Sequence, residues 1–263
     1  MCRPASCLGL IPLGRPAFHG DGFTEPSAAT LGRMQFLIIR HGQSANNHLF
    51  ATTGSWEGRV PDPGLTELGH EQAARLAAHM LSGRAPRPTV MHTSLMRRAI
   101  QTASPIAAAF DLTLHGHAEL FEYGGPYEDH IDDGRTHRGA SASGLRSLSP
   151  HLALPDCADE TGWYDGGREG DAECASRAAR VADEMIGRYV DTDEVVALVC
   201  HQWFGQYLLR ALSGLGPDVR TPWFFMDNTS TTAVTHGHIV WGDVVHVDWV
   251  NRTDHLEGWQ VTN

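Results

Sequence analysis

The stretch "FLIIRHGQSANN", residues 36–47, reads as a buried apolar strand that stops at Arg40 and His41 and turns through Gly42 into polar residues. A short apolar run of this kind suits the interior of a parallel sheet, whose strands are covered on both faces. Similar runs recur outward from it: "TVMHTS" (89–94), "LTLHGHAEL" (112–120) and "EVVALVC" (194–200). Alternating with them are helix-forming segments with apolar residues three or four apart. These are "TELGHEQAARLAAHML" (66–81), "LMRRAIQTASPIAAAF" (95–110), "DAECASRAARVADEMIGRYV" (171–190) and "WFGQYLLRALSG" (203–214). The chain closes on β-type segments, "STTAVTH" (230–236), "HIVW" (238–241) and "VVHVDWV" (244–250), with Gly242-Asp243 suited to a tight hairpin turn. Strand alternating with helix predicts an α/β fold, a three-layer sandwich around a mainly parallel sheet with an antiparallel edge.

Two regions fall outside this rhythm. Residues of about 123–170 are rich in Gly, Ser, Asp and Pro and too long for an ordinary connection. They predict a cap insertion over one end of the sheet, within a domain spanning 34–263. Residues 1–33 show no periodicity and no continuous apolar segment of a signal peptide, and Met34 stands directly before the first strand. They are expected to be a disordered or non-native N-terminal extension.

Composition narrows the function. The net charge is −11, and all 20 Lys+Arg residues are arginine. An acidic chain without basic tracts is a poor partner for nucleic acid or an anionic membrane, and no apolar run approaches the roughly 20 residues of a membrane span. The five cysteines, Cys2, Cys7, Cys157, Cys174 and Cys200, are scattered without the paired spacings of a zinc site. They read as reduced thiols of a cytoplasmic protein, Cys200 as a small buried filler.

In open α/β sheets ligands bind beyond the carboxyl ends of the strands. Arg40 and His41 stand at one such end and His201 at another. Ser94 leads from a third into a helix whose first turn carries Arg97 and Arg98. Two histidines, several arginines and a helix N-terminus on one rim suit a phosphate. Singly, each of these residues reads as an ordinary structural histidine or a surface charge; only the conjunction points to a site. A competing metal reading rests on "HGH" at 115–117 and 236–238, whose histidines share a strand face. Neither pair has an acidic ligand at a recognisable spacing, and no H-E-x-x-H occurs. No metal site and no cofactor are therefore expected.

The blocks "LIIRHGQSANN", "DPGLTELG", "TSLMRRAIQTA", "LFEYGG", "LVCHQWFG" and "DNTSTT" appear in the order of the histidine phosphatase superfamily, the phosphoglycerate mutase-like family, which the chain resembles from about 35 to 250. The resemblance implies that His41 is the nucleophile, forming a phosphohistidine. Arg40 and Arg98 would grip the phosphoryl oxygens, Arg98 rather than Arg97 because it directly precedes "AIQT". Asn47 and Gly42 would line the phosphoryl pocket, and His201 would be the second histidine. Glu122 would be the general acid, with Glu119 its nearby rival, and Asn228 and Thr229 would lie along the site. Each role is chemically sound: neutral imidazole is a competent nucleophile, planar guanidinium binds two oxygens, and a carboxylic acid can protonate a leaving alkoxide. Gln202 and Trp203 depart from the family, which usually has glycine after the second histidine.

The expectation is a metal-independent phosphoric monoester hydrolase acting on a small phosphorylated substrate. Shielding of a phosphohistidine from water, as a mutase requires, finds weak support in the short block around Glu122. The alternatives are a phosphoglycerate mutase-type phosphotransferase and a non-catalytic protein that binds phosphorylated ligands. The insertion, with Arg135, Arg138, Arg146, Arg168, Trp163 and Tyr164, is either a cap touching the leaving group or a loop pinned by its aromatics. "PWFF" (222–225) reads as core. A homodimer is left open.

Overall fold

A computed structural model describes residues 33–127, 137–216, 222–239 and 242–263. All of them fall in one unit, Leu31–Asn263, and the N-terminal extension lies outside the described residues apart from Arg33. The elements are β1 (Met34–Arg40), α1 (Ala45–Thr53), α2 (Glu67–Leu81), β2 (Val90–Ser94), α3 (Arg97–Phe110), β3 (Leu114–His117), α4 (Ala142–Arg146), β4 (Leu152–Ala153), α5 (Asp171–Tyr189), β5 (Val195–Cys200), α6 (Gln202–Leu212), β6 (Thr231–Ile239) and β7 (Gly242–Arg252). The strands form one sheet in the order β4-β3-β2-β5-β1-β6-β7. β4, β3, β2, β5 and β1 run parallel, and β6 and β7 add the antiparallel edge.

β1 shows why the fold has three layers. Its side chains alternate across the sheet: Leu37 and Ile39 pack with Leu76 and Met80 of α2 and Ile100 and Ile106 of α3. Phe36 and Ile38 face Val181 and Met185 of α5 and Phe204 and Leu208 of α6. All four β1 side chains are fully buried, each contributing about 1.5–3 kcal/mol relative to exposure. Both faces of the strand are apolar because both are covered, as a central parallel strand requires.

Three local features depart from the sequence expectation. The polar stretch after His41 forms α1, started by a capping box between Ser44 and Asn47 and ended by Gly54 in the left-handed region. Part of the 123–170 region adds β4 to the sheet edge beside β3 rather than only covering an end. Gly242-Asp243 is not the hairpin turn: Ile239 pairs with Gly242, which opens β7, because pairing with β1 keeps β6 extended through His236. The connecting residues 240–241 lie outside the described ones. No helix among the described residues is long and apolar enough to cross a membrane.

The sheet face under α5 carries a cluster away from the strand ends. His92 Nε2 is 2.8 Å from Tyr189 Oη, and its ring centroid is 5.4 Å from that of His115 and 6.2 Å from that of His117. Burial, reinforced by His115, His117 and Arg188, pushes His92 down to about 3. The unfolded chain titrates near the ordinary 6.5, so it binds the extra proton first as pH falls, and the stabilisation by neutral His92 is lost from pH ~6.5 downward. Chemical denaturation should show about 2 kcal/mol less stability from this residue at pH 5 than at pH 7. That difference should shrink by the same amount in His92→Leu. An unchanged pH dependence in the variant would assign the acid sensitivity to other groups.

Candidate active site

The parallel register aligns the residues that the sequence placed at strand ends. Arg40 lies beside Cys200, the His41 N–H donates to the Cys200 carbonyl at 3.0 Å, and the rings of His41 and His201 are 5.1 Å apart. The turn after β1 is fixed by close backbone contacts. A Cβ at Gly42 would stand 2.6 Å from the Gly69 carbonyl oxygen, and one at Gly69 would stand 2.1 Å from that of Gln43. Each position therefore excludes a side chain. Thr66, the N-cap of α2, accepts from the Gly69 N–H at 3.1 Å, and its own N–H donates to the Gln43 carbonyl at 2.9 Å. Thr102 on α3 accepts from the Gly42 N–H at 2.9 Å, and Gln72 from the Gln43 N–H at 2.8 Å. The blocks "RHG", "TELG" and "AIQT" thus meet as one contact.

These contacts set the chemistry of His41. Its Nδ1 lies 2.7 Å from the Gly42 carbonyl oxygen. A carbonyl can only accept, so Nδ1 carries the proton and Nε2 keeps its lone pair. Arg98 Nε donates to that Nε2 at 3.1 Å. Burial, then the charges of Arg98 and Arg40, hold His41 well below the ordinary histidine range, so the ring is neutral at pH 7. Arg98 is itself buried, with Asp62 Oδ1 3.8 Å from its Nη1. Burial lowers the Arg98 guanidinium, while Asp62 and Glu122 oppose that shift. Arg97 meets the same carboxylate through its backbone, its N–H donating to Asp62 at 3.0 Å.

Arg40 is 3% exposed. Its Nη1 donates to the Met226 carbonyl at 2.5 Å and lies 3.5 Å from Asn263 Oδ1. Burial above all brings it down to about 10, still charged at neutral pH. His201 Nε2 lies 2.8 Å from Ser94 Oγ, and burial, then the Arg98 charge, keeps this ring neutral too. The Ser94 oxygen already accepts from the Met96 N–H. When the Ser94 hydroxyl donates to His201 Nε2, the ring proton sits on Nδ1. Arg40 Nε and His201 Nδ1 are buried without a hydrogen-bond partner in the protein, and the Arg40 donor is one that an anion would satisfy. Glu122 is held at the start of α6: its carboxylate accepts from the N–H groups of Tyr123 (2.8 Å), Phe204 (2.9 Å) and Trp203 (3.3 Å).

Arg40, His41, Asn47, Arg98 and Glu122 line one cavity of about 620 Å³. The Asn47 carboxamide oxygen accepts from the Ser44 N–H and hydroxyl, so the amide nitrogen is the end offered to a ligand. Asn228 and Thr229 are fully buried and do not line it. Asn228 Nδ2 donates to the His41 carbonyl at 3.0 Å, and the Thr229 N–H, at φ 57, reaches the Arg40 and His41 carbonyls. They brace the His41 backbone from behind. Glu119 pairs with Arg180 of α5 and lines a different cavity.

Of the insertion residues, Arg168 lines the site cavity. Trp163 and Tyr164 instead pack on Phe121 in the core, the pinned-loop reading. Arg138 donates to Thr161, Arg146 closes α4, and Arg135 lies outside the described residues. "PWFF" is not simply core: Phe224 is partly buried, whereas Trp223 and Phe225 are 41% and 65% exposed. Among the described residues no three His, Cys, Asp or Glu side chains are arranged to hold a metal ion. His117 pairs with Glu184, and His236 bonds the Leu212 carbonyl.

Residues absent from the sequence expectation are Asp62, Ser94 as partner of His201, Asn263, and an aromatic rim of Phe50, Trp56 and Tyr127. The Asp-Pro before "GLTELG" was visible as a block, but only the fold shows that Asp62 meets Arg98.

Comparison with known proteins agrees with this geometry. The family model described as histidine phosphatase superfamily (branch 1) matches residues 36–248. A 2,3-bisphosphoglycerate-dependent phosphoglycerate mutase of Xylella fastidiosa (strain M12) is 39% identical over 77 residues, 29% of this chain and 28% of that protein. One from Chelativorans sp. (strain BNC1) is 40% identical over 76 residues, 29% of this chain and 34% of that protein. The chain thus aligns with only about a third of the length of these relatives. Among solved structures, a mycobacterial glucosyl-3-phosphoglycerate phosphatase superposes with a TM-score of 0.54 at 22% identity, over 83% of this chain and 99% of that one. A phosphoserine phosphatase from Entamoeba histolytica, in complex with phosphoserine, gives 0.54 at 20%, over 85% and 100%. At such identities these two show a shared fold.

Proposed function

The chain belongs to the histidine phosphatase superfamily, branch 1, and from that premise we propose that it hydrolyses a small phosphorylated metabolite through a phosphohistidine at His41. The observation carrying this reading is the state of His41: neutral, with Nδ1–H on the Gly42 carbonyl and the Nε2 lone pair directed at Arg98. A histidine kept as that tautomer beside two buried arginines is prepared to attack an anionic phosphorus.

In the first step Nε2 forms a bond to phosphorus as the ester P–O bond breaks. Arg98 now donates to the attacking lone pair, so the incoming phosphoryl oxygens must draw the guanidinium to themselves. Arg40 and the Nδ1–H of His201 take further oxygens, and Glu122 gives its proton to the departing alkoxide. In the second step Glu122 recovers a proton from water, whose oxygen attacks phosphorus. The N–P bond breaks, giving inorganic phosphate and neutral His41.

The test is phosphate release from a panel of monoesters with EDTA present, together with quenching in alkaline denaturant to trap phosphorylated protein. EDTA-resistant release and an acid-labile, base-stable phosphoryl group are expected. Loss of release with EDTA, restored by a divalent ion, would overturn the metal-independent mechanism. The identity over 77 residues to phosphoglycerate mutases favours a second reading, phosphoryl transfer between hydroxyls. A turnover that requires a bisphosphorylated primer would establish it, and ligand binding without turnover would indicate a non-catalytic protein.

A further inference from the structure

We infer that the alcohol released by this enzyme carries a flat ring, as in an aryl-alkyl phosphate or a nucleoside monophosphate; this rests on the phosphomonoesterase reading above. The acid locates the leaving group. Glu122 must meet the departing oxygen, and its carboxylate is held by the backbone of Trp203 and Phe204. The alcohol therefore leaves the phosphoryl pocket beside residue 203.

Outside the phosphoryl pocket, large aromatic rings line the cavity beside charged and polar side chains such as Arg59, Arg168 and Asp171. Trp203 lines it, 52% exposed, with its ring held edge-on by Trp223 at 5.2 Å. Phe50 and Trp56 also line it, as a stacked pair 4.5 Å apart and 20° from parallel. Tyr127 adds a further ring, with the guanidinium carbon of Arg59 3.9 Å from its centroid and that of Arg168 4.8 Å away. Phe50 (44%) and Trp203 contribute little to the core. Exposed large rings placed together at the mouth of a polar site mark a surface for a ligand. Paired ring faces favour offset or edge-on contact with another planar group. A small polyol would leave them wetted, and a branched alkyl chain would use only their area. Trp203 stands where the family usually has glycine, so this ring of the rim is a departure belonging to this chain.

The experiment compares kcat/KM for benzyl phosphate and nucleoside monophosphates with that for n-propyl phosphate and glycerol phosphate. All of these release alcohols of similar acidity, so the comparison isolates binding of the alcohol. Wild type should favour the ring-bearing esters by about tenfold, and Trp203→Ala and Trp56→Leu should each lower that ratio several-fold, mainly through KM, as loss of about one stacking contact does. Preference for benzyl phosphate or for the nucleotides would identify which ring the rim takes. Equal or better turnover of the propyl and glycerol esters, or variants that lower both classes alike, would overturn this inference and leave the phosphatase reading standing. Failure of every ester together with no trapped phosphohistidine would remove the phosphatase reading itself, and this inference with it.

Discussion

His41→Ala should lower phosphate release from alkyl monoesters by about 10⁴-fold or more, and no acid-labile phosphoprotein should form. The size follows from the geometry. Among the described residues that line the cavity, His41 is the one histidine, and its Nδ1–H bond to Gly42 fixes the lone pair on Nε2. Removing it leaves Arg40 and Arg98 able to bind phosphate but nothing to attack phosphorus. The loss should therefore fall on kcat, with inorganic phosphate still binding. Thermal denaturation of the variant separates chemistry from folding, since the His41 backbone contacts to Cys200, Thr229 and Asn228 persist. Residual activity within tenfold of wild type would place the nucleophile elsewhere.

Glu122→Gln should show an effect that depends on the leaving group. An alkoxide requires a proton in the transition state, so turnover of an alkyl phosphate should drop by about 10²–10⁴-fold. A nitrophenolate departs without one, so nitrophenyl phosphate should lose far less. Glu122 also accepts three backbone N–H groups at the start of α6, and a merely structural role would depress both substrates equally. Equal losses would assign the acid to another group. The split between substrates separates proton transfer from scaffolding.

The two expectations draw on unequal signals. "LIIRHG" carried its message locally: an apolar run ended by Arg40 and His41 is a buried strand delivering both to a rim, and the parallel register places His201 beside them. Arg97 and Arg98 both stand in the first turn of a helix that follows a strand end, and the resemblance at "AIQT" singled out Arg98. Glu122 was harder, because only the "LFEYGG" block and its following Gly pair favoured it over Glu119. The distinction arises in space, where Glu119 turns to Arg180 and Glu122 to the N-terminus of α6. Asn228 and Thr229 illustrate the converse. Their place in a shared block linked them to the site, yet their side chains sit behind His41.

Periodicity, strand ends and block order were thus sufficient for the α/β sandwich and for bringing Arg40, His41, Asn47, Arg98 and Glu122 to one cavity. Those properties depend on which face of a strand or helix a residue occupies, and chain order alone determines that. The tertiary structure decided what depends on contacts between distant segments. It set the tautomer of His41, the pairing of Asp62 with Arg98, the close approach of Gly42 to Gly69 and the addition of β4 to the sheet. It also assembled the aromatic rim from Phe50, Trp56, Tyr127 and Trp203. Hydrogen bonds and ring contacts act over a few ångströms, and only packing brings residues this far apart in the chain within that range.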